Sequence, residues 1–481
     1  MVIKKQGILF LTIVVYFSST FINILYANEG ITILPKDTRA ILALRDLPPK
    51  SLSAYVVNLD SNEVILSWNS SDPKNPASVM KILTTAVALD KLGPAFQWHT
   101  DFYLNGTVDD EVLDGDLVIK GFGDPYLTSE KIWGMLRNLR KRGIRIITGD
   151  LLLDDSYFSH PNYVPGAFDN EPLRTYNVGP NALMFNFKAI QFDVEADLRN
   201  NTVNIIQDPK LDNLSVINKL IPIEGDCEGF QRGIRMVPNK VFNQLTFTGT
   251  FPDSCEDFSL YRSMLSHNEY TYALFKNIWY QVGGELLGNW RNVEFEPLNE
   301  PFLTHDSEVL SYVIGNINKY SNNVMTRNLL LTLAAERHPL PATQIKGRMV
   351  IDEWLKDKAL SRVGFDYDNG AGLSRHARLT AEQVVEIVLD TYKGPFMPEF
   401  MASLSLSGLD GTMLERFSDD ELTGKLHVKT GMIDNVSSMA GYLYSKNGKR
   451  YAFAIIQNFD DIHRGYGEEV QETLIRWLYE N

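Results

Sequence analysis

The chain has 481 residues, 44% of them hydrophobic and 22% charged, with a formal net charge of -14. That length suggests about two to four domains with a sizeable core, and the composition excludes fibrous, collagen-like and disordered classes. So acidic a chain lacks the basic face that phosphates demand, and no nucleic-acid partner is expected.

Lys4 and Lys5 precede an apolar run from Gly7 to Ala27, broken by Ser18, Ser19, Thr20 and Asn23. Residues 1–27 read as an export signal cleaved after Ala27, which sets the mature chain in the periplasm. Losing two lysines and no acids takes the net charge from -14 to -16. The same run is long enough to serve as an uncleaved N-terminal anchor. Residues 38–45 follow as a helix. Residues 53–59 and 64–68 alternate as two strands around Asp60-Ser61-Asn62, a hairpin pattern. Asn75-Pro76-Ala77-Ser78 then opens a helix that Gly93-Pro94 stops; it is apolar nearly all round, so it belongs in a core.

From about 98 to 262 the texture changes to short strand patterns at 113–120, 146–153, 189–194, 202–206 and 241–250, which marks inserted β-rich material. Cys227 and Cys255 flank the last of these, and an exported chain is expected to bridge them. Two cysteines and scattered histidines offer no zinc spacing, and no cofactor is expected. A helical pattern resumes over 270–287 and again over 309–333, where Gly315 and the polar residues 316–323 interrupt it. Strands at 425–429, 438–445 and 451–457 follow, the last two joined by Lys446-Asn447-Gly448-Lys449, a strong hairpin signal. An amphipathic helix over 468–479 closes the chain. The reading is one α/β domain, a hairpin and helix completed by three strands and a helix, interrupted by an insertion.

Three short motifs carry chemistry. Ser78 and Lys81 are three apart at a helix start, so both face one side. A serine hydroxyl needs an adjacent base, and a lysine serves once burial or a second cation strips its proton. Ser321-Asn322-Asn323 falls in the polar gap of the later helical pattern, where a hydroxyl can relay a proton and an amide can orient a substrate. Lys429-Thr430-Gly431 sits on a strand whose lysine and threonine can hold a carboxylate and whose glycine lets another backbone approach. Each motif alone is ordinary: an N-terminal helix serine, a cap, a strand end. Together, in this order, they resemble the trio of serine penicillin-recognising enzymes.

The trio and the further segments Gly121-Phe122-Gly123-Asp124-Pro125, Asp154-Asp155-Ser156-Tyr157-Phe158, Asn181-Ala182-Leu183, residues 368–375 and Gly408-Leu409-Asp410-Gly411-Thr412 resemble the D-alanyl-D-alanine carboxypeptidase/endopeptidase family of low-molecular-mass penicillin-binding proteins, of the penicillin-binding protein 4-like type. The resemblance covers most of the mature chain. It implies a transpeptidase-like α/β fold, with an antiparallel sheet flanked by helices, in residues 28–97 and 263–481. It further implies an inserted domain in 98–157 and 236–262 and a nested one in 158–235. It implies action on peptidoglycan peptides and inhibition by β-lactam antibiotics. Carried over by position, Ser78 is the acylated nucleophile, Lys81 its base, Ser321 the proton shuttle and Asn323 a contact to substrate and Lys81. Lys429, Thr430 and Gly431 receive the substrate carboxylate, and the N–H groups of Ser78 and Met432 form the oxyanion hole. The family usually carries Ser or Thr where Met432 stands, which keeps the backbone donor and removes a hydroxyl. One of Asp154 and Asp155 is implied to read the amino group of a diaminopimelate stem. A non-catalytic peptidoglycan-binding scaffold on the same fold, a β-lactamase and an esterase are the competing readings. Glu296-Pro297-Leu298-Asn299 lies before Ser321 and is one residue short of the Glu-x-x-Leu-Asn pattern that a class A β-lactamase would carry.

Overall fold

The computed structural model describes residues 31–159, 163–227, 233–256 and 258–481; the expected export signal lies outside them. Among the described residues, six strands form an antiparallel sheet in the order Ser405–Leu406, Leu426–Ile433, Val436–Tyr444, Arg450–Asn458, Leu52–Asn58, Val64–Trp68. Chain-distant strands are joined here: Leu52 pairs with Gln457 and Asn58 with Tyr451. The central strands are buried almost end to end because helices cover both faces. Side chains alternate between the two faces, as the pleat requires. Ala452, Ala454 and Ile456 meet the helices Lys81–Leu92, Leu310–Lys319, Asn323–Arg337 and Ala381–Lys393. Tyr451, Phe453 and Ile455 meet the helices Lys36–Leu44 and Tyr466–Glu480. This is the expected α/β architecture. No helix among the described residues is long and apolar enough to cross a membrane.

The strand-rich middle builds a second sheet. Its order is Glu285–Leu286, Ile146–Ile147, Val112–Gly121, His99–Asp109, Leu303–Asp306, with Leu151–Asp154 and Trp290–Asn292 joined at one side. Two helices, Ser129–Lys141 and His267–Gln281, bury Ile132, Met135, Leu136, Tyr270, Leu274 and Phe275 in the same core as that sheet. Two three-stranded sheets built from strands between Ile190 and Arg262 pack onto it. The strand pairing therefore runs past the expected return at 263: residues 285–306 hydrogen-bond to strands that begin at His99. On this pairing we propose that the insertion spans about 98–306, with a nested unit near 190–262 in place of 158–235. Within the nested unit Ser215–Ile223 and Gln244–Pro252 run parallel, with Ile223 opposite Pro252. Cys227 and Cys255 lie just beyond those two ends and are joined by a disulfide.

Candidate active site

Ser78 and Lys81 straddle a change of helix type. Ala77–Met80 is a 3-10 turn, and the α-helix Lys81–Leu92 begins where it ends. Ala77 holds a φ of +44, a conformation that a side chain tolerates poorly, so the chain enters the turn sharply. Gly372 secures that entry. A Cβ on it would lie 1.9 Å from the Ala77 carbonyl, so only glycine lets the 368–375 segment lie against the turn.

Lys81 is fully buried. Its Nζ lies 3.0 Å from Ser78 Oγ, 2.6 Å from Asn323 Oδ1 and 2.6 Å from the Ala371 carbonyl. No carboxylate hydrogen-bonds to Ser78 or Lys81 among the described residues. Burial, and then the positive charges of Lys429 and Arg327, hold the Lys81 amine well below its usual pKa. A neutral amine has two N–H groups and one lone pair. With Asn323 Oδ1 and the Ala371 carbonyl accepting two hydrogens, a neutral amine here could turn its lone pair toward Ser78 Oγ. Such an amine can accept a hydroxyl proton.

Asn323 reaches Lys81 because Asn322 caps its helix. The Asn322 side chain accepts from Met325 N at 3.0 Å, fixing the first turn of Asn323–Arg337. Ser321 occupies the turn before it at φ +55, and its hydroxyl makes no hydrogen bond to Ser78 or Lys81 among the described residues. One turn further on, the buried Arg327 donates to the carbonyls of Tyr176 and Val178 at 2.9 and 2.8 Å.

Leu426–Ile433 forms the opposite wall. It pairs with Val436–Tyr444 along its whole length, while Ser405–Leu406 covers only His427 and Val428 on the outer side. From Lys429 onward no strand among the described residues pairs with that outer edge, where an extended peptide could add. Gly431 passes close to Ser78: a Cβ on it would lie 2.8 Å from Ser78 N. Lys429 is fully buried, its Nζ donates to the Thr430 carbonyl at 2.7 Å, and burial pushes its pKa down to about 7. Thr430 donates to Thr412 Oγ1 at 2.7 Å, and Met432 is half exposed.

The buried Lys429 amine costs stability near neutral pH. Between pH 7 and 10 the unfolded chain holds a proton on Lys429 that the native state sheds, so native stability rises with pH across that window. Lys429→Met is expected to melt above the wild type at pH 7, with the difference shrinking toward pH 10, and to bind carboxylate substrates poorly. Melting curves across that range check this; a variant less stable than wild type at pH 7 contradicts it.

Of the two acids in the Asp154-Asp155 pair, Asp154 is fully buried, pairs with Lys120 at 2.8 Å and accepts from the N–H groups of Ser156 and Phe295. It is structural. Asp155 is half-buried and accepts from Asn181 and Asn268. Sequence reasoning assigned no role to Ala371 or Thr412. Ala371 acts through its carbonyl, which no side-chain pattern reveals, although the glycines around it at φ +75 and +76 mark a tight turn.

A model of the D-Ala-D-Ala carboxypeptidase 3 (S13) family matches residues 35–480. The D-alanyl-D-alanine carboxypeptidase DacB of Haemophilus influenzae is 23% identical over 410 residues, 85% of each chain. A D-alanyl-D-alanine carboxypeptidase of Actinomadura sp. is 25% identical over 456 residues, 90% of this chain and 82% of that one. Among solved structures, penicillin binding protein 4 from Haemophilus influenzae superposes with a TM-score of 0.79 at 22% identity, covering 92% of this chain and 99% of its own. The same protein complexed with a β-lactam gives 0.74 at 22% identity, covering 92% of this chain and all of its own. The penicillin G-acylated predatory endopeptidase Bd3459 of Bdellovibrio bacteriovorus gives 0.53 at 14% identity, covering 89% of this chain and 90% of that one.

Proposed function

The chain belongs to the D-Ala-D-Ala carboxypeptidase 3 (S13) family, and from that membership we propose that it is a penicillin-sensitive serine D-Ala-D-Ala carboxypeptidase and endopeptidase acting on peptidoglycan stem peptides. The observation that carries the reading is the buried Lys81 amine, 3.0 Å from Ser78 Oγ, with its other two partners both acceptors. In this reading Ser78 Oγ attacks the carbonyl of the penultimate D-Ala while Lys81 takes the hydroxyl proton. The N–H groups of Ser78 and Met432 hold the oxyanion. Collapse breaks the C–N bond, and the departing amine receives a proton through Ser321. Water then cleaves the Ser78 ester. When the departing amine belongs to a terminal D-Ala the outcome is trimming; when it belongs to a neighbouring diaminopimelate side chain the outcome is cross-link cleavage. Lys429 and Thr430 grip the carboxylate beyond the scissile bond, and Asp155, rather than the ion-paired Asp154, is the acid open to a stem amine. Such substrates place the mature protein outside the cytoplasm, consistent with export by residues 1–27.

Competition from a β-lactamase reading is weakened by the surroundings of Ser78 and Lys81, whose polar partners among the described residues include no carboxylate to activate a deacylating water. Incubating the purified protein with pentapeptide monomers and with cross-linked dimeric muropeptides tests the proposal by chromatography. Free D-Ala from the first and monomers from the second are expected, and both should vanish in Ser78→Ala. No product from either substrate, or product that survives Ser78→Ala, overturns it.

A further inference from the structure

Thr430 and Met432 are two residues apart on the Leu426–Ile433 strand, so their side chains leave the same face. Thr430 offers a hydroxyl there. Met432 offers a thioether that cannot donate a hydrogen bond. A second hydroxyl comes from elsewhere in the chain. Thr412, in the Gly411–Met413 turn, is exposed, and its Oγ1 lies 2.7 Å from Thr430 Oγ1. Thr412 accepts the Thr430 proton, which leaves its own proton to be donated. With Ser405 Oγ donating to the Lys319 carbonyl and accepting from Thr412 N, the Thr412 proton points to Ser405 Oγ across a long 3.3 Å, a bond that a carboxylate can displace.

The turn that presents Thr412 is held at both ends of its acid. Asp410 pairs with Lys319, and its other oxygen accepts from Leu406 N at 2.8 Å. Lys319 closes the helix that leads into Ser321, so one ion pair ties the Thr412 turn to the chain entering the Ser-x-Asn motif. The hydroxyl is therefore in place before a ligand arrives, which lowers the ordering cost of binding.

We propose that Thr412 is a substrate-binding residue: on binding, the Thr430 hydroxyl turns from Thr412 Oγ1 to the C-terminal carboxylate, and the Thr412 hydroxyl donates to the same carboxylate beside Lys429, supplying the donor that Met432 does not. The inference rests on the carboxypeptidase reading above and deepens it. An ionised carboxylate has acceptor sites for several donors, and a hydroxyl bonded to it contributes more than a neutral pair does.

The test uses two acyl-D-alanyl thioesters, one whose leaving thiol carries a free carboxylate and one in which that carboxylate is a methyl ester. Thr412→Val is expected to raise KM for the first about ten- to hundredfold with kcat within about twofold, and to leave the second unchanged. Thr412→Ser should behave as wild type, and adding Met432→Thr to Thr412→Val should restore most of the lost KM. An unchanged KM for the free acid, equal losses on both thioesters, or no rescue by Met432→Thr overturns the inference. Wild-type protein that turns over neither thioester sinks the carboxypeptidase reading instead, a separate outcome.

Discussion

Lys81→Met is expected to slow acylation of Ser78 by about a hundred- to ten-thousandfold, the range that positioned proton transfer contributes. Methionine fills much the same space and removes the only side-chain amine within hydrogen-bonding distance of Ser78 Oγ among the described residues. Without it the hydroxyl must lose its proton to water or to a more distant group. Two opposing effects act on the fold. Removing a buried amine relieves its desolvation, while Asn323 Oδ1 and the Ala371 carbonyl lose a donor, at about 1–3 kcal/mol for each acceptor left unsatisfied. The melting temperature should therefore move little compared with the rate. Stopped-flow acylation by a fluorescent penicillin, with thermal melting alongside, checks both; an acylation rate within threefold of wild type contradicts the role of Lys81.

Gly431→Ala is expected to cost both activity and stability. The added Cβ would lie 2.4 Å from Ser438 Oγ, 2.7 Å from the Pro76 carbonyl and 2.8 Å from Ser78 N. Ser438 cannot simply step aside, because it is buried and donates to that same Pro76 carbonyl at 2.6 Å. The strand and the Ser78 turn must separate. Overpacking of this kind costs about 1–3 kcal/mol. A shift of about 1 Å between nucleophile and oxyanion donor costs about a hundredfold in rate. Gly134→Ala is the control: it lies on the Ser129–Lys141 helix, and a Cβ there meets nothing within 4 Å. It should melt at or above wild type and acylate normally. A Gly431→Ala protein with wild-type melting and rate would show that the two walls of the site are not in contact.

The framework of the catalytic domain was legible because its signals are local. The hairpin around Asp60-Ser61-Asn62 and the one around Asn447-Gly448 each announce themselves within a dozen residues, and the strands flanking them pair as expected. The i, i+3 spacing of Ser78 and Lys81 survives the change from 3-10 turn to α-helix. The pairing of residues 285–306 with the strands near 100–154 was less legible, for three reasons. The helix His267–Gln281 shows a buried face whether it packs on one core or another; periodicity names the face and not its partner. Glu285–Leu286 and Trp290–Asn292 are too short to carry an alternating pattern, so nothing marked residues 285–306 as belonging with the strands near 100–154. The helix Ser129–Lys141 carried a legible stripe at Ile132, Met135, Leu136 and Leu139, which a reading tuned to strands passed over.

Within the site, side-chain chemistry was visible and backbone chemistry was not. Lys81, Asn323 and Lys429 are residue types whose presence invites a role. The Ala371 carbonyl, which orients the Lys81 amine, is a group that every residue has. Thr412 lies 18 positions before Thr430, and only the packing of the Gly411–Met413 turn beside the strand brings the two hydroxyls together. The Asp154-Asp155 pair could not be divided from sequence because both are carboxylates; burial and the Lys120 ion pair divide them.

Peptide mapping by mass spectrometry after brief exposure to benzylpenicillin tests the central claim most directly. One adduct with the mass of one intact penicillin molecule, located on Ser78, slow to hydrolyse and absent from Ser78→Ala, is the expected result. An unlabelled wild-type protein, a label on any other residue, or an adduct that persists in Ser78→Ala would contradict it.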